Sequence, residues 1–257
     1  MGAESRDSRT PPAARAGPPA PALVSVVVPA LNEAAGIGAT LASVARQPGP
    51  VETVVVDGGS EDGTAEAARA ALPEAVVMEA PRGRASQMNA GAARATGSIL
   101  LFLHADTRLP AGALAAVRAA LADPAVAAGC FRTTFDLEKD AGFGAADRLV
   151  MRLWESRLWM RWHRFAFGDR ALFVRRAAFE AAGGFPDQPL FEDLDLVRAL
   201  RTQGRFVFLD EAVVTSARRY RRNGALGQQL RNLGLWLGWN AGVAPTRLRR
   251  FYDDHSG

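Results

Sequence analysis

The sequence predicts an α/β protein with a mostly parallel central sheet flanked by helices, and three observations lead there. Its strand-like runs, "LVSVVVPA" at 23–30, "VETVVVD" at 51–57, "AVVMEA" at 75–80 and "SILLFLHAD" at 98–106, are apolar without alternation, as strands covered on both faces must be. Between them lie alanine-rich segments with helical spacing: Ile37, Leu41 and Val44 in the first, then 64–72, then 85–95 ahead of Gly97. Strand and helix therefore alternate, which is the βαβ order of a doubly wound layer.

After about residue 125 the order loosens. "VAAGCFRTTFD" predicts a strand, the Trp-, Arg- and Leu-rich stretch 143–162 a helix, and "RALFVRR" and "RFVFLDEAVV" two further strands. "FEDLDLVRALRTQG" predicts a helix that stops at Gly204. No linker rich in Gly, Ser or Pro separates the halves, so the second is expected to extend the same sheet. Residues 223–257 are expected to form a helical extension packed on the same domain. Within it, Leu226, Leu230, Leu233 and Leu237 share one helical face near Trp236 and Trp239. A core-facing helix is the expected reading, with a peripheral membrane contact or a homodimer seam as alternatives. The first 22 residues are dense in proline and alanine and lack the apolar core of a signal peptide, which predicts a disordered leader.

Composition narrows the function. The chain has 257 residues and a formal charge of +4, yet a pI near 10.1, because Lys139 is its only lysine and arginine carries the rest. Arginine holds its charge and matches phosphate oxygens in geometry. The segment containing Arg218, Arg219, Arg221, Arg222, Arg231, Arg247, Arg249 and Arg250 suits an anionic partner such as a pyrophosphate, a lipid headgroup or a nucleic acid, or else a solvated surface. Cys130 stands alone, so an intrachain disulfide and a cysteine metal cluster are both excluded. No stretch reaches the roughly 18 to 20 apolar residues that span a bilayer.

In open α/β sheets ligands bind beyond the carboxyl ends of the strands, so the residues after each apolar run carry the functional reading. These are "PALNEAAG", "DGGSEDGT", "APRGRASQMNAG" and "HADTR". Asp57 ends a Val-rich strand, where it fits either a nucleotide contact or an Asx turn with Gly58 and Gly59. Asp62 and Thr64 read as helix starters. Glu33 suits a helix N-terminus whatever else it does. Arg82, Arg84, Gln87 and Asn89 stand in a glycine-containing turn leading into a helix, a combination suited to phosphate. On an extended strand, His104 and Asp106 face the same side, where a carboxylate and an imidazole can hold a divalent cation shared with phosphates. Glu192, Asp193 and Asp195 open a helix after the loop "AAGGFPDQP"; a carboxylate there is favoured by the helix dipole, and at a pocket edge it can act as a general base.

Taken together, these residues resemble the family 2 glycosyltransferases, nucleotide-sugar enzymes of the GT-A fold. "VVVPALNE" is similar to that family's opening strand and turn, and "VVVDGGSEDGT" to its nucleotide-binding strand end. "HAD" occupies the place of its metal-binding Asp-x-Asp, and "FEDLDL" resembles its Glu-Asp catalytic segment. "GRASQMNAGA", "FLHADT", "GDRALFVRR" and "TSARRY" are similar to a bacterial branch called radical-SAM/selenodomain-associated transferase 2.

The resemblance implies a GT-A domain over 23–222, with a nucleotide-binding half at about 23–125 and an acceptor half at about 126–222. It implies a nucleotide-diphosphate sugar donor, a UDP-sugar first, and a hydroxyl acceptor that is a small molecule, lipid or glycan and not a nucleic acid. Pro29, Ala30, Asn32, Glu33, Asp57, Gly59 and Ser60 would meet the nucleoside. Arg84, Gln87 and Ala105 would line its pocket, and Arg218 and Arg219 would clamp the diphosphate. Asp106, with His104 in place of the usual first aspartate, would bind Mn²⁺ or Mg²⁺. Asp193, beside Glu192, would deprotonate the acceptor. A cytoplasmic location, with contact at the inner face of the membrane, is the expectation. Two rivals stand beside this reading. A sugar nucleotidyltransferase would carry a basic glycine-rich loop where this chain has "PALNE", and a non-catalytic sugar-nucleotide-binding protein would have little use for both Asp106 and Asp193. The aromatic stretch of Arg152, Trp154, Trp159, Arg161, Trp162 and His163 suits an acceptor wall or ordinary packing.

Overall fold

The computed structural model describes residues 21–136, 143–155, 170–218, 220 and 224–253. Residues 1–20 of the expected leader, the segment from Trp159 to His163, Arg219, Arg221 and Arg222 lie outside the described residues.

Strands β1 (Val24–Ala30), β2 (Val51–Asp57), β3 (Val76–Glu79) and β4 (Ile99–Phe102) alternate with helices α1 (Ala34–Ala45), α2 (Thr64–Ala71) and α3 (Arg84–Arg94). They form the parallel block β3-β2-β1-β4. All seven residues of β1 are buried, and period-2 alternation divides them between two cores. Val24, Val26 and Val28 pack with Ile37, Leu41 and Val44 of α1, while Val27 packs on the other side with Met88 and Ala92 of α3. Each buried valine contributes about 1.5–3 kcal/mol relative to exposure, so slipping this strand by one residue would cost several such terms at once. α3 lies very close to the sheet: a Cβ built on Gly91 would sit 2.4 Å from Val27 Cγ1 and 2.9 Å from Val56 Cγ2.

The sheet continues past β4 through β7 (Leu172–Arg175), β6 (Val126–Phe135), β8 (Arg205–Thr215) and the short β5 (Thr107–Arg108). The second half thus extends the first half's sheet. The sheet is mixed, however: β4–β7, β6–β7 and β5–β8 are antiparallel, and β6–β8 is parallel. Its apolar runs report cover on both faces and carry no sign of strand direction. β7, apolar from Leu172 to Val174, runs against β4.

Helices α4 (Ala113–Ala120), α5 (Ala145–Glu155), α6 (Arg176–Ala181) and α7 (Glu192–Gln203) follow in the chain. The C-terminal segment forms α8 (Ala225–Asn240) and α9 (Pro245–Asp253). Leu235 and Leu248 join these two helices to Leu190 and Phe191, just ahead of α7. Arg198 of α7 stacks its guanidinium 3.7 Å from the Trp239 ring centroid. The core-facing expectation for the leucine stripe is reversed. The buried side of α8 is Ala225, Gln228, Gln229 and Leu235, and Leu226, Leu230, Leu233 and Leu237 are exposed. Leucine identity suggests the inward face, but the neighbouring elements offer polar partners: Tyr220 for Gln229, and Asn232 for Gln228 within the helix.

Candidate functional site

A cavity of about 460 Å³ opens at the carboxyl ends of β1 and β4, within the range of small-ligand sites. Its walls come from four places in the chain: Pro29 to Leu31 and Glu33 after β1, Arg82 to Gln87 at the start of α3, His104 to Asp106 after β4, and Asp187 to Leu190 with Glu192. Arg249 of α9 completes the lining. A small adjoining void, about 20 Å³, shares Arg84, His104 and Glu192 with this cavity and adds Asp193, Arg170 and Phe185.

The turn after β4 differs from the extended strand expected. β4 ends at Phe102, and Thr107 N donates to His104 O at 3.0 Å, closing a turn. Leu103 N reaches Val27 O at 2.9 Å, and Thr40 Oγ1 donates to Ala105 O at 2.7 Å. His104 and Asp106 still line one cavity, but this pinned turn brings them there, not strand alternation.

Arg218, just beyond β8, ties the ends of three strands. Its Nη2 lies 2.6 and 2.8 Å from the two carboxylate oxygens of Glu33 and 3.6 Å from Asp106 Oδ2. Burial works against the charged guanidinium, but the hydrogen bond and charge of Glu33, followed by those of Asp106, outweigh it and hold its pKa above the ordinary arginine value. Across the cavity, Arg84 Nε meets Glu192 Oε1 at 2.9 Å. Glu192 is only 2% exposed and its Oε2 has no hydrogen-bond partner, so its negative charge is compensated chiefly through Arg84.

The loops after β1 and β2 are laced together. Asp57 Oδ2 accepts from Gly59 N at 3.2 Å and Ser60 N at 2.9 Å, and Ser60 Oγ donates to Asp57 Oδ1 at 2.5 Å. Asn32 N donates to Ser60 Oγ, Glu61 N to Asn32 Oδ1, and Glu33 N to Thr64 Oγ1. Asp62 accepts from Thr64 N and from Ala34 N. Asn32, Asp57, Gly59 and Ser60 therefore stand behind the cavity lining and shape the loop that bears Glu33. Gln87 lines the cavity, but its Nε2 donates to both Ala30 O and Val56 O at 2.8 Å, which makes it a brace between β1, β2 and α3.

Sequence reasoning did not single out Leu190. It reached Asp187 and Gln188 only through the loop "AAGGFPDQP", expected over the site, Arg170 only through "GDR" at 168–170, expected beside the acceptor or in a turn, and Arg249 only as one of the arginines suited to an anionic partner. Their positions depend on tertiary packing: Asn89 holds the loop by exchanging hydrogen bonds with Phe185 backbone, and Gln188 Nε2 donates to Asp195 Oδ2 at 2.7 Å. One signal does mark the region. Asn32, Ala171 and Phe191, the non-glycine residues with positive φ among those described, all lie in or beside the segments that border the two cavities. Strained backbone of this kind persists where the surroundings dictate it.

Known proteins resemble this chain in sequence and fold. The family model described as "Glycosyl transferase family 2" matches residues 25–179. A PGL/p-HBAD biosynthesis glycosyltransferase of Mycobacterium bovis is 42% identical over 93 residues, 34% of this chain and 36% of that protein. Glycosyltransferase AglE of Haloferax volcanii is 37% identical over 91 residues, 32% of this chain and 30% of that protein. The chain thus matches about a third of the length of these curated relatives. Among solved structures, the mannosyltransferase PcManGT of Pyrobaculum calidifontis, in complex with GDP-Man and Mn²⁺, superposes with a TM-score of 0.58 at 27% identity. That match covers 79% of this chain and 61% of PcManGT. TarS of S. aureus, residues 1–349 with UDP-GlcNAc, gives 0.58 at 18% identity over 75% of this chain and 58% of its own, a likeness of fold.

Proposed function

The chain belongs to glycosyl transferase family 2, and from that premise we propose that it moves a sugar from a nucleoside-diphosphate donor to a hydroxyl acceptor, with inversion at the anomeric carbon. The observation that carries this reading is the contact of Arg218 with Glu33 and Asp106, two carboxylates lining a 460 Å³ cavity, with Asp193 in the adjoining void.

Residues 23–125 hold the donor in this proposal, and residues 126–222 face the acceptor. The backbone of Pro29 and Ala30, with Glu33, meets the nucleoside, on a loop braced by Asn32, Asp57, Gly59 and Ser60. Arg84 and Arg218 place positive charge where the diphosphate lies, and Gln87 and Ala105 floor the pocket. Arg219, outside the described residues, keeps its sequence-based assignment to the diphosphate.

A carboxylate and an imidazole at Asp106 and His104 can hold a divalent cation, Mn²⁺ or Mg²⁺, with Asp106 the oxygen ligand such ions prefer. No group of three His, Cys, Asp or Glu side chains forms a closed metal cage among the described residues, so diphosphate oxygens and water would complete the coordination. PcManGT, with its Mn²⁺ and GDP-Man, supports this choice. When bound, such an ion offsets the charge that gathers on the departing diphosphate. Asp193 takes the proton of the acceptor hydroxyl, whose oxygen attacks the anomeric carbon from the face opposite the diphosphate. Glu192, buried against Arg84, positions that arginine.

Calorimetry with UDP and with GDP, with and without Mn²⁺, tests the donor half of the proposal. Asp106→Ala is expected to lose the metal-dependent part of nucleotide binding. Asp193→Asn should bind as the wild type does and lose about 10²–10⁴-fold in turnover, the usual contribution of a general base. Turnover is read as hydrolysis in a screen of sugar nucleotides, with water replacing the acceptor. Equal nucleotide affinity in wild type and Asp106→Ala, whatever the metal, overturns the metal assignment.

A further inference from the structure

We propose that the outer face of α8, continued by α5 and α9, docks on the surface of an anionic lipid bilayer. Leu226, Leu230, Leu233 and Leu237 repeat at intervals of four, three and four residues, so they form one stripe along the helix. Each is between 46% and 60% exposed, while the opposite side of α8 is buried. Helix α5, packed against α8, adds Leu149 and Leu153, exposed by 59% and 62%, and α9 adds Phe251 at 68%. Together with Val243, these are the large apolar side chains left in water among the described residues, and they gather on one group of three helices. An outward patch of this kind marks an interaction surface.

Charge selects the occupant. From Ser216 to Phe251 the sequence holds eight arginines and no Asp or Glu, and Arg247 and Arg250 are exposed beside Phe251 on α9. A second copy of this chain would set arginine against arginine, whereas anionic headgroups complement them. An apolar stripe with basic flanks is the pattern of a helix lying in the plane of an interface. No helix among the described residues is long and apolar enough to cross a membrane, so contact through this face would be peripheral. The same helices are joined to Leu190 and Phe191 by Leu235 and Leu248, and Arg249 lines the cavity.

The experiment is co-sedimentation of the full chain with vesicles of phosphatidylcholine alone and of phosphatidylcholine with phosphatidylglycerol, each at low and high salt. Binding is expected to the anionic vesicles, weakening as salt rises. The double variant Leu230→Glu/Leu237→Glu should lower that partition by about tenfold or more, and Arg247→Ala/Arg250→Ala should remove much of its salt dependence. Both variants change exposed positions, and melting curves check that they fold; nucleotide affinity should match the wild type. Failure of the wild type to bind anionic vesicles overturns the proposal, as does undiminished binding by the leucine variant. A dimer in light scattering that Leu230→Glu/Leu237→Glu splits, without vesicle binding, assigns the face to a second copy instead. None of these readouts depends on sugar transfer, so the lipid proposal and the transferase proposal fail separately.

Discussion

Arg218 stands where three strand ends meet, holding Glu33 through two oxygens and reaching toward Asp106. Roughly half of its side chain remains exposed, so its ion pairs contribute at most about 1 kcal/mol to stability. In the proposed function their value is to hold a cation beside Glu33 and Asp106, two carboxylates of the cavity wall. Arg218→Ala is expected to weaken UDP or GDP binding by about tenfold or more, the size of one charge-assisted hydrogen bond. The melting temperature should move little, and titration calorimetry with a parallel melt separates the two effects. Glu33, Arg84, Asp106 and Asp193 were legible in the sequence because each sits at a strand or helix end, and those ends face the cleft in an open sheet. Asp57 was legible only as two alternatives, and its three loop hydrogen bonds realise the Asx turn. Asp187 was legible only as part of a loop near the site and Arg249 only as one basic residue among eight, since nothing near them in the chain reveals what they fold against.

At the scale of elements, two helical glycines predict opposite outcomes. Gly91 faces Val27 and Val56 with no room for a Cβ, so Gly91→Val should cost about 3 kcal/mol through overpacking. A Cβ added at Gly227 in α8 would meet nothing within 4 Å, so Gly227→Ala should gain about 0.5–1 kcal/mol from lost backbone freedom in the unfolded chain. Chemical denaturation of both variants checks the pair, and the same sign for both would contradict the packing described. β1 to β4, α1 to α3, β6, β7, β8 and the helix stopping at Gly204 were readable from period and composition, whereas α4, α6 and the two-residue β5 were not read. Strand direction beyond β4 was not, because a strand buried on both faces looks alike whichever way it runs. The orientation of α8 escapes the sequence for a related reason: amphipathic spacing identifies a stripe but does not say which side the rest of the fold covers.

For the whole molecule, the amino ends of the strands, opposite the cavity, set a pH dependence. Glu52 accepts from Ser25 Oγ at 2.5 Å and from Thr96 N at 2.7 Å, linking β2, β1 and the entry to β4. Partial burial raises its pKa, but the hydrogen bonds from Ser25 and Thr96 more than offset this and hold it below the ordinary value of 4.5. A carboxylate lowered in the folded state adds stability above its unfolded pKa and loses it as pH falls through the folded one. Glu52→Gln should therefore be less stable than the wild type near neutral pH, and the gap should close below about pH 4.5. Denaturation midpoints across that range measure it. Elsewhere, burial pushes the Cys130 thiol up to about 12, which leaves it protonated and inert at neutral pH.

The cleft founded by β1 is lined on one side by Arg249 of α9, about 220 residues further along the chain. During synthesis the βαβ core can collapse as it leaves the ribosome while Arg249 is still to be made. A nonsense codon within α8 would therefore remove that side of the lining from a product that retains every strand of the sheet.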